Sequence, residues 1–503
     1  MLLENVIRYN DLKEYMEIPK YSFSEIVIDS RAATADTVFV CLKGSFSDGH
    51  DFAYNAYLCG CRCFIAEKYL SDLPDDAIVL VVNNTREMLA RMACRFYGDP
   101  SRKLKIIGIT GTKGKTTTAL MISHILNSCG LNCGYIGSNG VYFNRSWYKT
   151  QNTTPESLIL QKHLYDMNQS GVEYVVLEVS SQALYTHRVD GIKMDTVVFT
   201  NLGHDHIGKF EHPDHDHYIK SKSHLFDDEF DAELCVRNED DTMTERVTKH
   251  FSKKTLGYSM KGNGAVNANN IKYYQGKNSI GVMFDISTEW NTYSAMIPMA
   301  GDFNVQNALC AFSVCSKYIR EPEKIIKALA TVKIDGRFEI YYAPNGAVFV
   351  IDYAHNGLSL SCALEELRKF CNGRLICLFG SVGGRTQNRR EELGRAAGFY
   401  SDYCIVTSDN PNFEDPMNVI NDILYHVKLE KCKWNAIADR KSAIEFAYHM
   451  AKEGDVVLLA GKGHESYQLI NGIKVPFSER IILSKLIEND KKAIAAENLK
   501  ARK

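Results

Sequence analysis

The sequence predicts an α/β protein of three domains: a small mixed α/β domain over 1–102, a parallel-sheet domain over 103–332 and a second parallel-sheet domain over 333–503. Three observations carry this. A buried apolar run that ends in a polar loop recurs in KLKIIGITGTKGKTTT, VEYVVLEVSSQAL, DTVVFTNLGHDHIG, RLICLFGSVGGRTQ, DYCIVTSDNPNFEDP and DVVLLAGKGHESYQ. Alternation of such strands with helices argues for parallel sheets covered on both faces. The length of 503 residues fits about three domains at roughly 100–200 residues each. Finally, Gly98-Asp99-Pro100 marks a linker, and IDGRFEIYY opens a fresh strand pattern.

Within the first domain, DSRAATADTVFVCLKGSFSDGHDF (29–52) places the strand-like TVFVCL between polar turns. Ser30-Arg31 and the turn Ser47-Asp48-Gly49-His50 suit either a phosphorylated ligand or ordinary turn chemistry. Cys59, Cys61 and Cys63 alternate in LCGCRCF, which places them on one face of a strand. Small buried strand residues are favoured there over a metal site.

The second domain opens with the most informative stretch, KLKIIGITGTKGKTTTALMISHILNSCG (103–130). A strand over Ile106, Ile107 and Ile109 leads through Gly108, Gly111 and Gly114 into a helix-period segment, 117–126. Glycines let backbone amides approach an anion, the helix N-terminus adds partial positive charge, and Lys115 reaches the terminal phosphates. Thr116 is placed to offer its hydroxyl to magnesium. Gly111, Thr112, Lys113, Gly114, Lys115, Thr116 and Thr117 are therefore the candidate nucleotide-binding residues. This is a P-loop ATPase-like arrangement, with one more residue before Gly114 than the simple motif has.

Downstream, NTTPES (152–157) is a polar turn rich in donors. The strand 172–179 carries Glu178 near its C-terminal end, where ligands of open α/β sheets collect and an acidic residue commonly binds magnesium. Six histidines follow, at 204, 206, 212, 215, 217 and 224. Their spacing favours one histidine at the metal–phosphate centre and the rest as solvated loop residues, rather than a zinc site. Lys222 falls on the helix YIKSKSHLF, where a lone lysine is normally just surface. Asn304 and Asn307 lie three apart on one helix face, suited to reading a base edge or capping. In the third domain, Rossmann-like in its alternation, the strand 348–351 ends in Asp352 and His355. The tail from SKLIEND onward reads as a solvated helix.

Net charge of −2, with 45% hydrophobic and 24% charged residues, gives no global pull toward nucleic acid or membrane. No apolar run approaches the roughly 18 residues of a membrane span. The N-terminus MLLENVIRYNDLKEYM lacks a signal-peptide pattern. Fifteen scattered cysteines fit reduced thiols. A cytoplasmic monomer acting on small molecules is expected.

Taken together, the 29–52 block, GITGTKGKTTT, TTPES, EVSS, NLGHDH, YIKSK, GDFNVQNAL, GRFE, DYAH, GSVGGR, DNPNFEDP and GKGHE resemble the Mur ligase family of peptidoglycan synthesis over nearly the whole chain. They are most similar to its members that add the third residue to UDP-N-acetylmuramoyl-L-alanyl-D-glutamate. The resemblance implies ATP and magnesium, with Lys115 and Thr116 on phosphates and metal. Glu178 and His206 become magnesium ligands, and Lys222 a carbamylated lysine serving a second metal, which reverses the surface reading above. Ser30, Arg31, Thr153, Thr154, Ser180 and Arg188 would contact the UDP-sugar-peptide. Asn304, Asn307, Arg337 and Asp352 would surround adenine and ribose. Asp409, Asn410, Asn412, Gly461 and Glu465 would form the pocket for the incoming amino acid.

The implied chemistry transfers the γ-phosphoryl to the D-glutamate side-chain carboxylate, and an amine then attacks the acyl phosphate. Closure of the third domain onto the second would bring the amine within attack distance and exclude water. Relatives using meso-diaminopimelate usually carry Asp-Asn-Pro-Arg, whose arginine grips the distal carboxylate. Asn412 stands there instead, so L-lysine is expected over meso-diaminopimelate, with L-ornithine a further option. Gln182 after EVSS, and Asn356-Gly357 after DYAH, also depart from the family pattern. The rivals are folylpolyglutamate synthase, which does not need the 29–52 block, and a non-catalytic nucleotide- or UDP-sugar-binding subunit, whose four-cysteine zinc insertion is missing. The absence of a base-reading N-K-x-D makes a plain kinase or GTPase the weakest option.

Overall fold

A computed structural model describes residues 1–13, 17–44, 47–203, 207–208, 211–276, 279–384, 387–430 and 432–501. Two compact units emerge: Met1–Asn267 with Leu309–Ile325, and Ala268–Ala308 with Ile326–Lys503.

The first unit holds two sheets. The N-terminal one is parallel, with strands β1 (Glu25–Val27), β2 (Thr37–Val40), β3 (Cys63–Ala66) and β4 (Ile78–Val81) in sequential order. Side chains alternate across it. Val38, Val40, Ile65 and Leu80 pack on Met88, Leu89 and Met92 of the helix Thr85–Phe96, while Phe39 and Phe64 face Ala53 and Ala56 on the other side. The cysteine triplet does not form one strand face. Cys59 caps the helix Ala53–Leu58, the chain turns at Gly60 with φ 106°, and β3 starts only at Cys63. A glycine in that left-handed conformation ends the helix and resets the period.

The central sheet follows: β5 (Lys105–Thr110), β6 (Cys133–Gly137), β7 (Gly140–Phe143), β8 (Ser146–Tyr148), β9 (Tyr174–Glu178), β10 (Thr196–Phe199), β11 (Leu234–Asn238) and β12 (Lys254–Ser259). The spatial order is β8-β7-β6-β9-β5-β10-β11-β12, parallel except at the β6–β7–β8 edge. The order reverses about β5, so the loops after β5, β9 and β10 gather at one crevice. Ile106, Ile107 and Ile109 are fully buried, each contributing about 1.5–3 kcal/mol of hydrophobic stabilisation.

Strand β13 (Val266–Gly276) begins in the last residues of the first unit and continues into the second, where β14 (Ser279–Ser287) and β15 (Thr292–Ile297) follow it as neighbours in that order. The six-stranded sheet is β16 (Glu339–Tyr342), β17 (Val348–Asp352), β18 (Leu375–Phe379), β19 (Tyr403–Thr407), β20 (Lys433–Ile437) and β21 (Val456–Ala460), ordered β16-β17-β21-β18-β19-β20 with only β16 antiparallel. A hairpin, β22 (Tyr467–Ile470) with β23 (Ile473–Pro476), precedes the helix Glu479–Ala501. That helix is not wholly solvated: Leu483 and Ile487 join the core of this sheet. No helix among the described residues is long and apolar enough to cross a membrane.

Candidate active site

The phosphate loop leaves β5 at Thr110 and enters the helix Lys115–Ser128 through Gly114, whose φ of 82° starts the helix without a side-chain cap. Gly111 has φ 151°, and a Cβ there would stand 1.9 Å from Thr200 Oγ1; only glycine fits. The loop is strapped to the end of β10. Lys113 N donates to Asn201 Oδ1 (2.9 Å), and Lys113 O accepts from Thr200 Oγ1 (2.7 Å) and Asn201 Nδ2 (3.1 Å). Thr112 Oγ1 accepts from Gly203 N (2.9 Å) and meets Tyr218 Oη (3.0 Å). Lys115 Nζ donates to Gly111 O (2.7 Å) and Thr112 O (3.1 Å). This leaves a backbone concavity with a lysine folded over it at a helix N-terminus, which suits an anion.

Glu178, at the end of β9, is fully buried. Its carboxylate accepts from Thr116 Oγ1 (2.9 Å), Tyr135 Oη (2.5 Å), Ser138 N (3.1 Å) and Ser138 Oγ (3.3 Å). Gly137 makes room, since a Cβ there would come within 2.2 Å of Glu178 Oε1. The carboxylate and the Thr116 hydroxyl thus sit together beside the loop, the oxygen donors a hard cation takes. Tyr135 and Ser138 were not among the sequence candidates; they lie on and after β6, which becomes a neighbour of β9 only through the sheet.

Lys222, on the helix His215–Ser223, is 1% exposed. Its Nζ donates to Gly111 O at 2.8 Å and lies 4.6 Å from the centre of the Tyr218 ring. The surface reading of this lysine is therefore corrected. Lys115 and Lys222 share one carbonyl oxygen. His206 lies outside the described residues, as does His204. The remaining histidines are not loop residues in solvent. His212 is buried against Ser181 Oγ (2.9 Å) and His217 Nδ1 (2.8 Å), His215 and His217 start the lysine helix, and His224 caps its end.

Beyond Glu178, Thr154 Oγ1 donates to Glu178 O (2.8 Å) and accepts from Ser180 N (3.0 Å), while Ser138 Oγ meets Thr153 Oγ1 at 3.0 Å. Arg188 is buried, donates to Thr154 O (3.2 Å) and stands 3.5 Å from Glu156; burial pushes its pKa down. Arg86 from the N-terminal domain pairs with the same Glu156 at 3.2 Å. Ser30 and Arg31 occupy an exposed turn, with Arg31 paired to Asp29 at 2.6 Å, whose carboxyl that guanidinium lowers to about 2. At the Asp48–His50 turn, local chemistry wins: Asp48 caps the turn and bonds His50 Nδ1, and His50 Nε2 accepts from Glu67 N at 2.9 Å.

The second unit carries two further clusters. Asn304 Nδ2 donates to Ala300 O (2.6 Å), and Asn307 Nδ2 to Asn304 Oδ1 (3.2 Å). Asp352 accepts from Phe338 N (3.0 Å) and Ala354 N (2.8 Å); burial raises its pKa against the opposing pull of Arg337. The Arg337 guanidinium lies 4.9 Å from the centre of the Tyr353 ring. In the other cluster, Lys462, absent from the sequence candidates, is fully buried and reaches Glu465 (2.6 Å), Asn410 Oδ1 (2.8 Å) and Asp409 (3.6 Å). Burial raises Asp409, with Arg440 and Lys462 opposing. Gly461, with φ 108°, donates to Asp352 O at 3.1 Å. Asn412 has φ 53°, and its Oδ1 accepts from Gly472 N (2.9 Å) at the turn of the β22–β23 hairpin. That bond ties the Asn412 side chain to the hairpin turn.

Comparisons with known proteins agree with this arrangement. Residues 22–97 match "Mur ligase family, catalytic domain", 109–315 "Mur ligase middle domain" and 336–463 "Mur ligase, glutamate ligase domain". The chain is 36% identical over 494 residues to UDP-N-acetylmuramoyl-L-alanyl-D-glutamate–2,6-diaminopimelate ligase of Clostridium botulinum, covering 97% of this chain and 99% of that one. A solved structure of an enzyme of the same name has 26% identity and a TM-score of 0.69, over 98% and 99% of the two chains. Folylpolyglutamate synthase of Mycobacterium tuberculosis complexed with ADP has a TM-score of 0.60 at 16% identity, covering 75% of this chain and 91% of its own; it shares the fold.

Proposed function

Because the chain belongs to the Mur ligase family, we propose that it is the ATP-dependent ligase that adds the third peptide residue to UDP-N-acetylmuramoyl-L-alanyl-D-glutamate. The observation that carries this is the phosphate loop, where Lys115 folds onto Gly111 O and Thr116 onto the buried carboxylate of Glu178. A carboxylate is a poor acyl donor, so the γ-phosphoryl passes to the D-glutamate side chain, the incoming amine attacks the acyl phosphate, and phosphate leaves. Both steps concentrate negative charge, which Lys115 and the loop amides stabilise. Gly111–Thr117 hold the phosphates, and Thr153, Thr154, Ser180 and Arg188 orient the sugar-peptide, with Ser30 and Arg31 at its nucleotide end. Asn304, Asn307, Arg337 and Asp352 take the adenosine. We divide the chain functionally at 102 and 332, with 333–503 binding the amino acid.

The oxygens of Thr116 and Glu178 fit magnesium, for which the family resemblance adds His206 as a further ligand; when bound it neutralises phosphate charge. Carbamylation of Lys222 is supported by its own setting. Two ammonium groups on one carbonyl repel each other, and a carbamate at Lys222 replaces that repulsion by attraction to Lys115. ATP and a UDP-linked substrate fit a cytoplasmic setting.

For the incoming amino acid we favour L-lysine. Position 412 offers no guanidinium for a distal carboxylate. Diaminopimelate is the second reading, favoured by the name of the Clostridium botulinum relative. Phosphate release from the UDP-dipeptide, ATP and a panel of lysine, ornithine and meso-diaminopimelate tests both levels. Faster turnover with diaminopimelate overturns lysine; no release with any amino acid overturns the ligase.

A further inference from the structure

Away from the phosphate loop, Asp190, His224 and Glu229 each bring one ligating atom to within 4.8 Å of the others. They come from three separate stretches: the turn before β10, the end of the helix His215–Ser223, and the short helical turn Asp228–Phe230. His224 Nε2 faces Glu229 Oε1 at 3.0 Å, and its Nδ1 is held by Asp227 Oδ2 at 2.8 Å. An imidazole with one nitrogen on a carboxylate and the other turned toward further carboxylates has the arrangement that orients histidine ligands in metal sites. Asp190 is oriented too, through His187 Nδ1 on its Oδ2 at 2.6 Å. Its other oxygen, Oδ1, is buried with no hydrogen-bond partner among the described residues. A buried carboxylate oxygen without a donor is costly, and a cation removes that cost.

We propose that Asp190, His224 and Glu229 form a second metal site, for a divalent first-row transition ion such as zinc, with Asp227 and His187 orienting the ligands. Two carboxylates and an imidazole together suit first-row transition ions, which bind such mixed nitrogen–oxygen sites more tightly than the hard cations do. Three protein ligands leave a position for water. The site joins the turn that carries Arg188, two residues before Asp190, to the helix end that carries Lys222, two residues before His224. Metal at this point ties those two segments together.

The full-length protein, stripped with chelator and kept in excess magnesium, is titrated with cobalt and then with zinc. The expected result is one cobalt ion with a nitrogen–oxygen spectrum and no thiolate charge-transfer band, displaced by zinc. Glu229→Gln and Asp190→Asn weaken binding at least tenfold, and Asp227→Asn weakens it by about 10–100-fold. The Glu229 side chain is 48% exposed, so its variant keeps the fold, which an unchanged melting midpoint in chelator verifies. No saturable cobalt binding, a thiolate-type spectrum, or equal affinity in wild type and Glu229→Gln overturns the site. None of these readouts depends on ligase turnover.

Discussion

Gly111 O accepts from two lysine ammonium groups, at 2.7 Å from Lys115 and 2.8 Å from Lys222. Lys115→Ala is expected to cut turnover by at least about 10²–10³-fold, the loss typical of one preorganised donor to a developing anion, with the melting midpoint unchanged. Full turnover in that variant contradicts the role. Around Glu178, Tyr135→Phe removes one donor from a buried carboxylate and is expected to cost about 1–3 kcal/mol, read by denaturant unfolding. A cost near zero means that Ser138 and Thr116 suffice. At this scale the sequence was readable where strand, loop and helix are contiguous, as for Lys115, Thr116 and Glu178. Tyr135 and Lys462 escaped because their partners are brought together only by sheet pairing and by burial, and neither leaves a periodic trace.

Elements explain where local pattern misled. Alternation at Cys59, Cys61 and Cys63 has a strand's period, yet a short helix followed by Gly60 in the left-handed region overrides it. Asn412 is tied by its side chain to the hairpin turn at Gly472, sixty residues on, a contact that no local pattern announces. The phosphate loop itself depends on Gly111. Gly111→Ala adds a Cβ 1.9 Å from Thr200 Oγ1 at a φ of 151°, so ATP affinity is expected to fall at least tenfold by equilibrium binding; unchanged affinity contradicts the loop geometry. In the second unit, Arg440 and Glu479 are both fully buried and paired at 2.8 Å, with Arg440 also on Ser408 O and Ala460 O. Glu479→Leu leaves that guanidinium uncompensated and is expected to cost about 3–5 kcal/mol; a loss under 1 kcal/mol shows that the carbonyls alone hold it.

For the whole molecule, pH behaviour and overall chemistry are the remaining tests. Burial pushes the His464 imidazole down to about 4, below its unfolded value of about 6.5. The folded state therefore binds fewer protons between those values, and the stability from this residue is complete above pH 6.5 and falls as pH drops toward 4. His464 should remain neutral at pH 5 by NMR; titration near 6.5 contradicts its burial. The α/β plan of parallel sheets was readable from repeated apolar runs, whereas the strand order was not, because spacing along the chain says nothing about which strand pairs with which. The central claim is that ATP activates the D-glutamate carboxylate as an acyl phosphate, and heavy-oxygen label in that carboxylate tests it most directly. The account predicts one labelled oxygen in each inorganic phosphate released during amino-acid-dependent turnover. Phosphate without label, or label appearing in AMP, would contradict it.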